Sequence, residues 1–411
     1  MNPWRGLKNI PRNVWLISFA TLINRSGTMV MPFLVLYLTK SIGVTDTAAG
    51  IALAFYGIGA LFTSPVVGRL SDRLGALRLM KISLIASGIF LILFSFIKNY
   101  YGILIMILVW SIISESFRPA NLSLISEESE PEQRKTSFAL NRLAINLGMS
   151  IGPVIGGFLS TISFSFLFYV DGITSILAGL FLIFVHIHPS KEGKALNGNG
   201  DKSEGLETKT DSTPTRTSIF QDKKFLLFMI AIVPVELVFF QHLGAYPLYI
   251  VHQLNHSTST YGLLITINTI LIILTEVPLN NAMSKIDDRK LIAVGALLCA
   301  VGFGAMAISG NIWFIVATII VWTFGEMIFF PAAASYVSKV APQNRSGEYM
   351  GYFQMTFSFS LMFGPWFGTF IFDEFGSTIL WLGAFFLANT TALLFLFMKK
   401  NNQNNNKTLL I

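Results

Sequence analysis

The sequence predicts an all-α integral membrane protein of twelve transmembrane helices, arranged as two six-helix bundles about a pseudo-two-fold axis. Three observations lead there. Of the 411 residues, 53% are hydrophobic and only 12% charged, with a mean hydropathy of +0.62, far from the averages of soluble domains. The apolar residues gather in stretches long enough to cross a hydrocarbon core, which takes about 20 residues of helix. Finally, the first six stretches recur in the last six at an offset of about 212 residues.

The twelve spans run over residues 13 to 38, 47 to 67, 78 to 98, 101 to 125, 136 to 160, 164 to 187, 224 to 252, 259 to 282, 290 to 309, 312 to 339, 346 to 371 and 377 to 398. The opening MNPWRGLKNIPR is basic like the start of a signal peptide, but the apolar run after it is too long and lacks a small-residue cleavage site. It reads as a retained first span. Of the 29 Lys and Arg, 24 fall in the termini and alternate loops on their side, only Lys40 and Lys98 in the opposite loops, and Arg25, Arg118 and Arg142 inside spans. By the positive-inside rule both termini are cytoplasmic. The surplus of seven positive charges therefore reports topology, and no nucleic acid is expected as a partner.

The hydrophilic segment from His188 to Lys224 has no apolar periodicity and splits the spans six and six. The expected organisation is an N-terminal bundle over 1–188, a cytoplasmic linker over 189–223, a C-terminal bundle over 224–399 and a cytoplasmic tail over 400–411. The repeat shows in four places in order. FRPA at 117 to 120 recurs as FFPA at 329 to 332, and Pro131 and Arg134 recur as Pro342 and Arg345. Gly152 and Pro153 recur as Gly364 and Pro365, and Pro65 and Ser71 as Pro278 and Ser284. A parallel repeat of this kind suits a transporter with its site near the bilayer midplane.

Two motifs sharpen this. Between spans 2 and 3 stands GRLSDRLGALR, with Gly68, Asp72, Arg73, Gly75 and Arg78 at set spacing, and span 5 carries GMSIGPVIGG, with Gly148, Gly152, Pro153, Gly156 and Gly157. The first resembles the helix 2–3 loop signature of the major facilitator superfamily, departing from it at Leu77; the second resembles that superfamily's helix-5 antiporter motif. The resemblance covers nearly all the chain outside linker and tail, and is nearest to the proton-driven drug exporters. It implies the fold of that superfamily, a substrate and proton pathway between the halves, and a latch in which Arg78 faces Glu127. Asp72 can sit at the N-terminus of span 11, where free amides and the helix dipole favour an anion. The plainer alternative for this loop is a topology-setting basic turn.

Physically, Gly75 permits a turn with positive φ. Gly148, Gly152 and Gly156 form a smooth strip at intervals of four, suited to close packing against a neighbour, for which span 8 is expected. Arg142, Asn146 and Met149 lie on another face of the same helix.

Charges inside spans carry the most information, because each costs about 2.5 to 3.5 kcal/mol near a bilayer centre and needs a partner or water. Arg25, with Asn24, Thr28 and Pro32 beside it, lies in span 1. Glu115 and Arg118 are three apart on span 4, close enough to neutralise each other. Spans 7, 8 and 10 add Glu236, Glu276 and Glu326, and span 7 adds Gln241 and His242. One reading places Arg25, Glu115 and Arg142 on a central cavity with a carboxyl that exchanges its proton, since burial favours the neutral carboxyl and a nearby guanidinium the charged one. The other is a static network of Glu115, Arg118 and Arg142. Asn24, Asn146, Glu236, Gln241, His242 and Glu326 complete the expected pathway, whereas Glu276, just before Pro278, reads as structural. Phe239, Phe240, Phe329 and Phe330 suit an apolar pocket wall.

The histidines are too scattered for a metal site, there is no phosphate-binding loop and no catalytic triad, and Cys299 has no partner for a disulfide. No enzyme activity, cofactor or metal is expected. An ion gradient remains as the energy source; one charge moved through 100 mV releases about 2.3 kcal/mol, enough for roughly a fiftyfold concentration ratio. The expected function is proton-coupled transport, most simply efflux of drug-like or amphipathic molecules by a monomer in the cell (inner) membrane. Its alternative is movement of a metabolite such as a peptide, siderophore or organic anion, and a different class, a non-transporting sensor, is disfavoured by the short tail and the lack of a folded soluble domain.

Overall fold

The computed structural model describes residues 10–130, 133–185, 219–283, 285–342 and 345–397, with the side chains of 64–73, 134–135, 220, 277, 281 and 346–348 left aside. Those residues are helical throughout, without strands. Most of the expected linker and the whole expected tail lie outside the described residues, as do His186, His188 and the side chains of Asp72 and Arg73.

Span 1 is made of two helices, α1 (Arg12–Ser26) and α2 (Val30–Tyr37). Spans 2 and 3 are α3 (Asp46–Leu74) and α4 (Ala76–Phe94). Span 4 again divides, into α5 (Tyr100–Glu115) and α6 (Phe117–Glu127). Spans 5 and 6 are α7 (Arg134–Ile162) and α8 (Ser165–Phe184). In the second half, span 7 comprises α9 (Lys223–Phe239) and the short α10 (Ala245–Leu248). Spans 8, 9 and 10 are α11 (Thr258–Met283), α12 (Asp288–Gly304) and α13 (Ile312–Val340). The last helix, α14 (Ser346–Phe397), is 52 residues long. At 1.5 Å per residue that is far more than one bilayer crossing. It breaks at Gly376, where φ 82° and ψ 169° are not helical, so it holds spans 11 and 12.

The internal repeat is visible in the backbone. Spans 1 and 7 are both interrupted midway and both end in a π-turn, Leu38–Ile42 and Tyr249–Gln253. Asn99 and Asn311, 212 positions apart, each accept a backbone N–H that opens the helix after them, from Gly102 at 3.2 Å and Trp313 at 3.0 Å. An interrupted helix within a bilayer leaves amides that lipid cannot satisfy. In span 1 the carboxylate of Asp171, from span 6, accepts the N–H groups of Met29 at 3.2 Å and Val30 at 3.1 Å, which caps α2 and complements its dipole. At the turn between spans 2 and 3, Gly75 has φ 82°, as its place in the loop motif requires.

The strip of Gly148, Gly152 and Gly156 packs on span 1 rather than span 8. A Cβ at Gly148 would lie 2.5 Å from the Cβ of Arg25, at Gly152 2.5 Å from the carbonyl oxygen of Thr28, and at Gly156 2.8 Å from the Cβ of Met29. The irregular segment of span 1 carries bare backbone, so only a glycine face approaches it closely. Span 8 takes the adjacent face of span 5, through Gly157 and the carbonyl of Pro153, against Ser259 and Gly262.

Candidate functional site

The two halves are tied together at the side away from the linker, called the far side below. There His252 lies 3.4 Å from Asp46 and 3.3 Å from Thr39. Thr47 donates its hydroxyl (2.8 Å) and N–H (3.3 Å) to Asp373. Ser160 donates to Thr258 at 2.7 Å, and Tyr261 to the carbonyl of Pro32 at 3.0 Å. Span 2 meets span 11 along Gly50 and Gly57, whose faces lie on Thr369, Trp366 and Met362. This seal closes the far side of the cleft between the halves.

Below the seal the cleft holds two cavities. The N-terminal lobe, about 250 Å³, is lined by Asn24, Arg25, Thr28, Tyr56, Glu115, Arg118, Met149 and Asp171, with Phe117, Trp110 and Phe240. The C-terminal lobe, about 400 Å³, is lined by Arg142, Asn146, Glu276 and Glu326, with Phe239, Phe330 and Phe353. Arg118 and Phe357 line both. The lining of the C-terminal lobe runs from the midplane toward the linker side, where Arg142 ion-pairs with Glu276 across the two halves, their side chains 60% and 8% exposed.

Most of the expected pathway residues meet here. Asn24, Arg25 and Glu115 fall in one lobe, Arg142, Asn146 and Glu326 in the other, with Arg118 lining both. Glu115 is not ion-paired with Arg118 in the structure; the helix breaks at Ser116 between α5 and α6, and Glu115 instead accepts the hydroxyl of Tyr56 at 2.8 Å. Glu326 accepts the side-chain amide of Asn268 at 2.6 Å.

Glu236, Gln241 and His242 line neither cavity. Glu236 is fully buried and accepts the hydroxyls of Thr356 at 3.2 Å and Ser360 at 3.1 Å, which turns it into the contact between spans 7 and 11. Gln241 donates to the carbonyls of Leu237 and Gly364 at 3.0 and 2.7 Å, satisfying backbone where span 7 breaks. His242 lies 2.7 Å from the carbonyl of Phe239 through Nδ1 and stacks on Trp322. Of the aromatic set, Phe239, Phe240 and Phe330 line the lobes, while Phe329 packs in the core against Gly295. Of the loop latch, Gly68, Asp72 and Arg73 fall on side chains outside those described; Arg78 and Glu127 are both exposed, and no ion pair joins these two.

Sequence reasoning missed three residues. Glu276 read as structural from its place before Pro278, yet it lines the cavity and holds Arg142 across the seam. Asp171, a lone acid inside span 6, carries the same cost signal as the other intramembrane charges. Tyr56 carries no sequence signal, because only the fold brings it to Glu115.

The model of the Major Facilitator Superfamily matches residues 14–251 and 236–408. An uncharacterized MFS-type transporter, YqjV of Bacillus subtilis, is 26% identical over 384 residues, covering 92% of this chain and 90% of the relative. A Na(+), Li(+), K(+)/H(+) antiporter of Planococcus maritimus is 24% identical over 91% of this chain and 93% of its own. The quinolone resistance protein NorA of Staphylococcus aureus is 25% identical over 84% and 86%. Among solved structures, the nucleoside transporter NupG superposes with a TM-score of 0.76 at 15% identity, covering 94% of this chain and 99% of that one. A POT family transporter in complex with 5-aminolevulinic acid gives 0.75 at 17% identity over 94% and 96%. The helical repeat, the twelve spans and the family match over nearly the whole chain agree, and this multi-pass membrane protein, a transporter and not an enzyme, belongs to the Major Facilitator Superfamily.

Proposed function

We propose that the protein is a proton-coupled secondary transporter that works by alternating access and expels drug-like or amphipathic small molecules. The observation that carries this is the two-lobed cavity between the halves, sealed on the far side and lined by Arg142, Glu276 and Glu326. With the termini and linker cytoplasmic, as the Lys and Arg distribution indicates, this is the inward-facing state.

Coupling follows from the charges. Arg142 is in ion-pair contact with Glu276, while Glu326 in the same lobe receives a neutral amide donor and shares the field of Arg142 without contacting it. Glu326 is itself buried, and a buried carboxylate is stabilised by a positive partner in contact with it. A proton supplies one, and so does a cationic group of a substrate; because both cannot occupy Glu326, uptake of one expels the other. That is the elementary requirement for exchange. The names borne by NorA and by the Planococcus antiporter are consistent with it.

The test is reconstitution in liposomes with an imposed pH gradient, with ethidium as the reporter. Ethidium should move only while the gradient lasts, and Glu326→Gln should leave downhill exchange but no pH-driven accumulation. Movement indifferent to the gradient, or a Glu326→Gln protein that still accumulates ethidium with pH, would remove the proposal.

A further inference from the structure

Resting on the alternating-access reading above and deepening it, we propose that His252 is a positioning residue of the transport cycle: a proton taken onto its ring from the far-side solution holds the far-side seal closed. His252 stands in the π-turn of span 7, Tyr249–Gln253, and both its ring nitrogens face the other half. Nδ1 lies 3.4 Å from a carboxylate oxygen of Asp46, and Nε2 lies 3.3 Å from the hydroxyl of Thr39 in the π-turn of span 1. That hydroxyl already donates its proton to the carbonyl of Val35 at 3.0 Å, so its oxygen is left to accept. Asp46 opens α3, where the helix dipole favours a charged carboxylate. Two acceptors, one of them an anion, therefore meet one ring. An imidazolium answers both with an N–H on each nitrogen and a positive charge, whereas neutral imidazole has a single N–H and no charge.

The sign follows from linkage. With the seal closed the ring is beside Asp46, and with the halves apart that partner is withdrawn, so the sealed state binds the proton more tightly. The added stability of the seal is complete in acid and is lost as pH rises through the range, about 5 to 8, in which histidine ordinarily changes charge. The side chains of His252 and Asp46 are 28% and 18% exposed, so far-side water reaches the pair even when the seal is closed. His252 lines neither lobe, which separates this proton from the one exchanged at Glu326. The other charged or titratable groups at this rim are Lys40 of span 1, Lys98 between spans 3 and 4, His256 after span 7, and Asp373 and Glu374 of span 11. Lys98 lies over the ring of Tyr37 at 5.6 Å, and Asp373 receives Thr47. Among the described residues His252 is joined only to Asp46 and Thr39, both from the opposite half. Once cargo has left on the far side, acid there favours return to the inward-facing state, and alkali removes that bias.

The test is a pH series on the full chain in nanodiscs without cargo, with spin labels at Thr161→Cys and Ile308→Cys reporting the far-side distance by pulsed dipolar spectroscopy. Between about pH 5.5 and about pH 8 the ratio of far-side-open to sealed protein should rise about tenfold, equivalent to about 1.4 kcal/mol. His252→Gln and Asp46→Asn should each flatten that response, whereas His256→Gln should leave it intact. His252→Lys, which keeps a cation throughout the series, should hold the seal closed at the alkaline end, and it serves as the second variant if His252→Gln does not fold. A parent whose distances ignore pH, a response that survives both His252→Gln and Asp46→Asn, or a response carried by His256 instead would overturn the inference. The ethidium assay separates it from the reading beneath: gradient-driven ethidium flux with a pH-indifferent seal defeats this inference alone, whereas a pH-operated seal without gradient-driven flux defeats the coupling alone.

Discussion

Replacing Gly157 with Leu should force the far side open. Gly157 sits where span 5 crosses span 8, and a Cβ there would lie 2.9 Å from the Cα of Ser259, 3.0 Å from the carbonyl oxygen of Thr258 and 3.4 Å from the Cα of Gly262. These are backbone atoms and cannot rotate aside, and a close-packed interface transmits the clash instead of absorbing it. Overpacking of this kind costs about 1–3 kcal/mol. The adjoining Ser160–Thr258 hydrogen bond of 2.7 Å would stretch as well, at about 1 kcal/mol. A penalty of about 2–4 kcal/mol on the sealed state shifts the conformational equilibrium roughly 30- to 700-fold toward the far-side-open state. Spin labels at Thr161→Cys and Ile308→Cys, on the far-side ends of the two halves, can report this by pulsed dipolar spectroscopy; the single native cysteine, Cys299, is buried. A longer, newly populated distance is expected in Gly157→Leu and a smaller fraction of it in Gly157→Ala. A folded Gly157→Leu protein whose distance distribution matches the parent would refute the claim that this crossing seals the cleft.

Three further outcomes are expected. Asp171→Asn should lower stability by about 1.5–3 kcal/mol, the worth of hydrogen bonds to a charged group, read as a fall in the thermal midpoint of the purified protein, with Asp171→Leu worse because the amides of Met29 and Val30 are then orphaned. Arg142→Gln should abolish gradient-driven flux by leaving Glu276 buried and unpaired; Arg142→Gln combined with Glu276→Gln should recover stability in the same melting assay without recovering flux. Gly75→Val should destabilise by about 1–2 kcal/mol, because φ 82° is costly for any residue with a Cβ, whereas Gly351→Ala, at a position with open space around its Cβ, should be nearly silent in the same melts.

The fold was readable because membrane spans announce themselves residue by residue: a run of apolar side chains or a charge within one is a local signal. Spans 11 and 12 follow each other without a loop, yet length alone forbids a single crossing, and the chain breaks between them at Gly376. The site was readable only in part. Arg25, Glu115, Arg142 and Glu326 stood out by their cost in a bilayer, but that cost does not say which way a side chain faces. Glu236 has the same signal as Glu326 and is spent on Thr356 and Ser360. Glu276 reads as structural in sequence because its partner lies 134 positions away, in the other half, and no local pattern marks a contact across the seam. The glycine strip reads as a packing face from its spacing alone, but its partner depends on the break in span 1, which is a tertiary fact.

The repeat shows where the two halves stopped being equivalent. Tyr56 and Asn268 are 212 positions apart and Glu115 and Glu326 are 211 apart, and in each half one hydrogen bond joins donor to acid, Tyr56 to Glu115 at 2.8 Å and Asn268 to Glu326 at 2.6 Å. Duplication thus left each half with a carboxylate in its fourth span, held by a donor from its second. Around these matched acids the charges differ. Arg25 stands 211 positions before Glu236, the same offset as the π-turns of spans 1 and 7, so one half presents a cation where the other has an acid. Arg25 lines the cavity, while Glu236 is buried against span 11. Rocking of two similar bundles about a pseudo-two-fold axis moves both lobes alike and cannot by itself distinguish a proton from a substrate. The distinction has to come from chemistry that the repeat does not share. Here the halves differ: the second contributes Glu276 and Glu326 but no guanidinium to the lining of either lobe, while Arg25, Arg118 and Arg142 all come from the first.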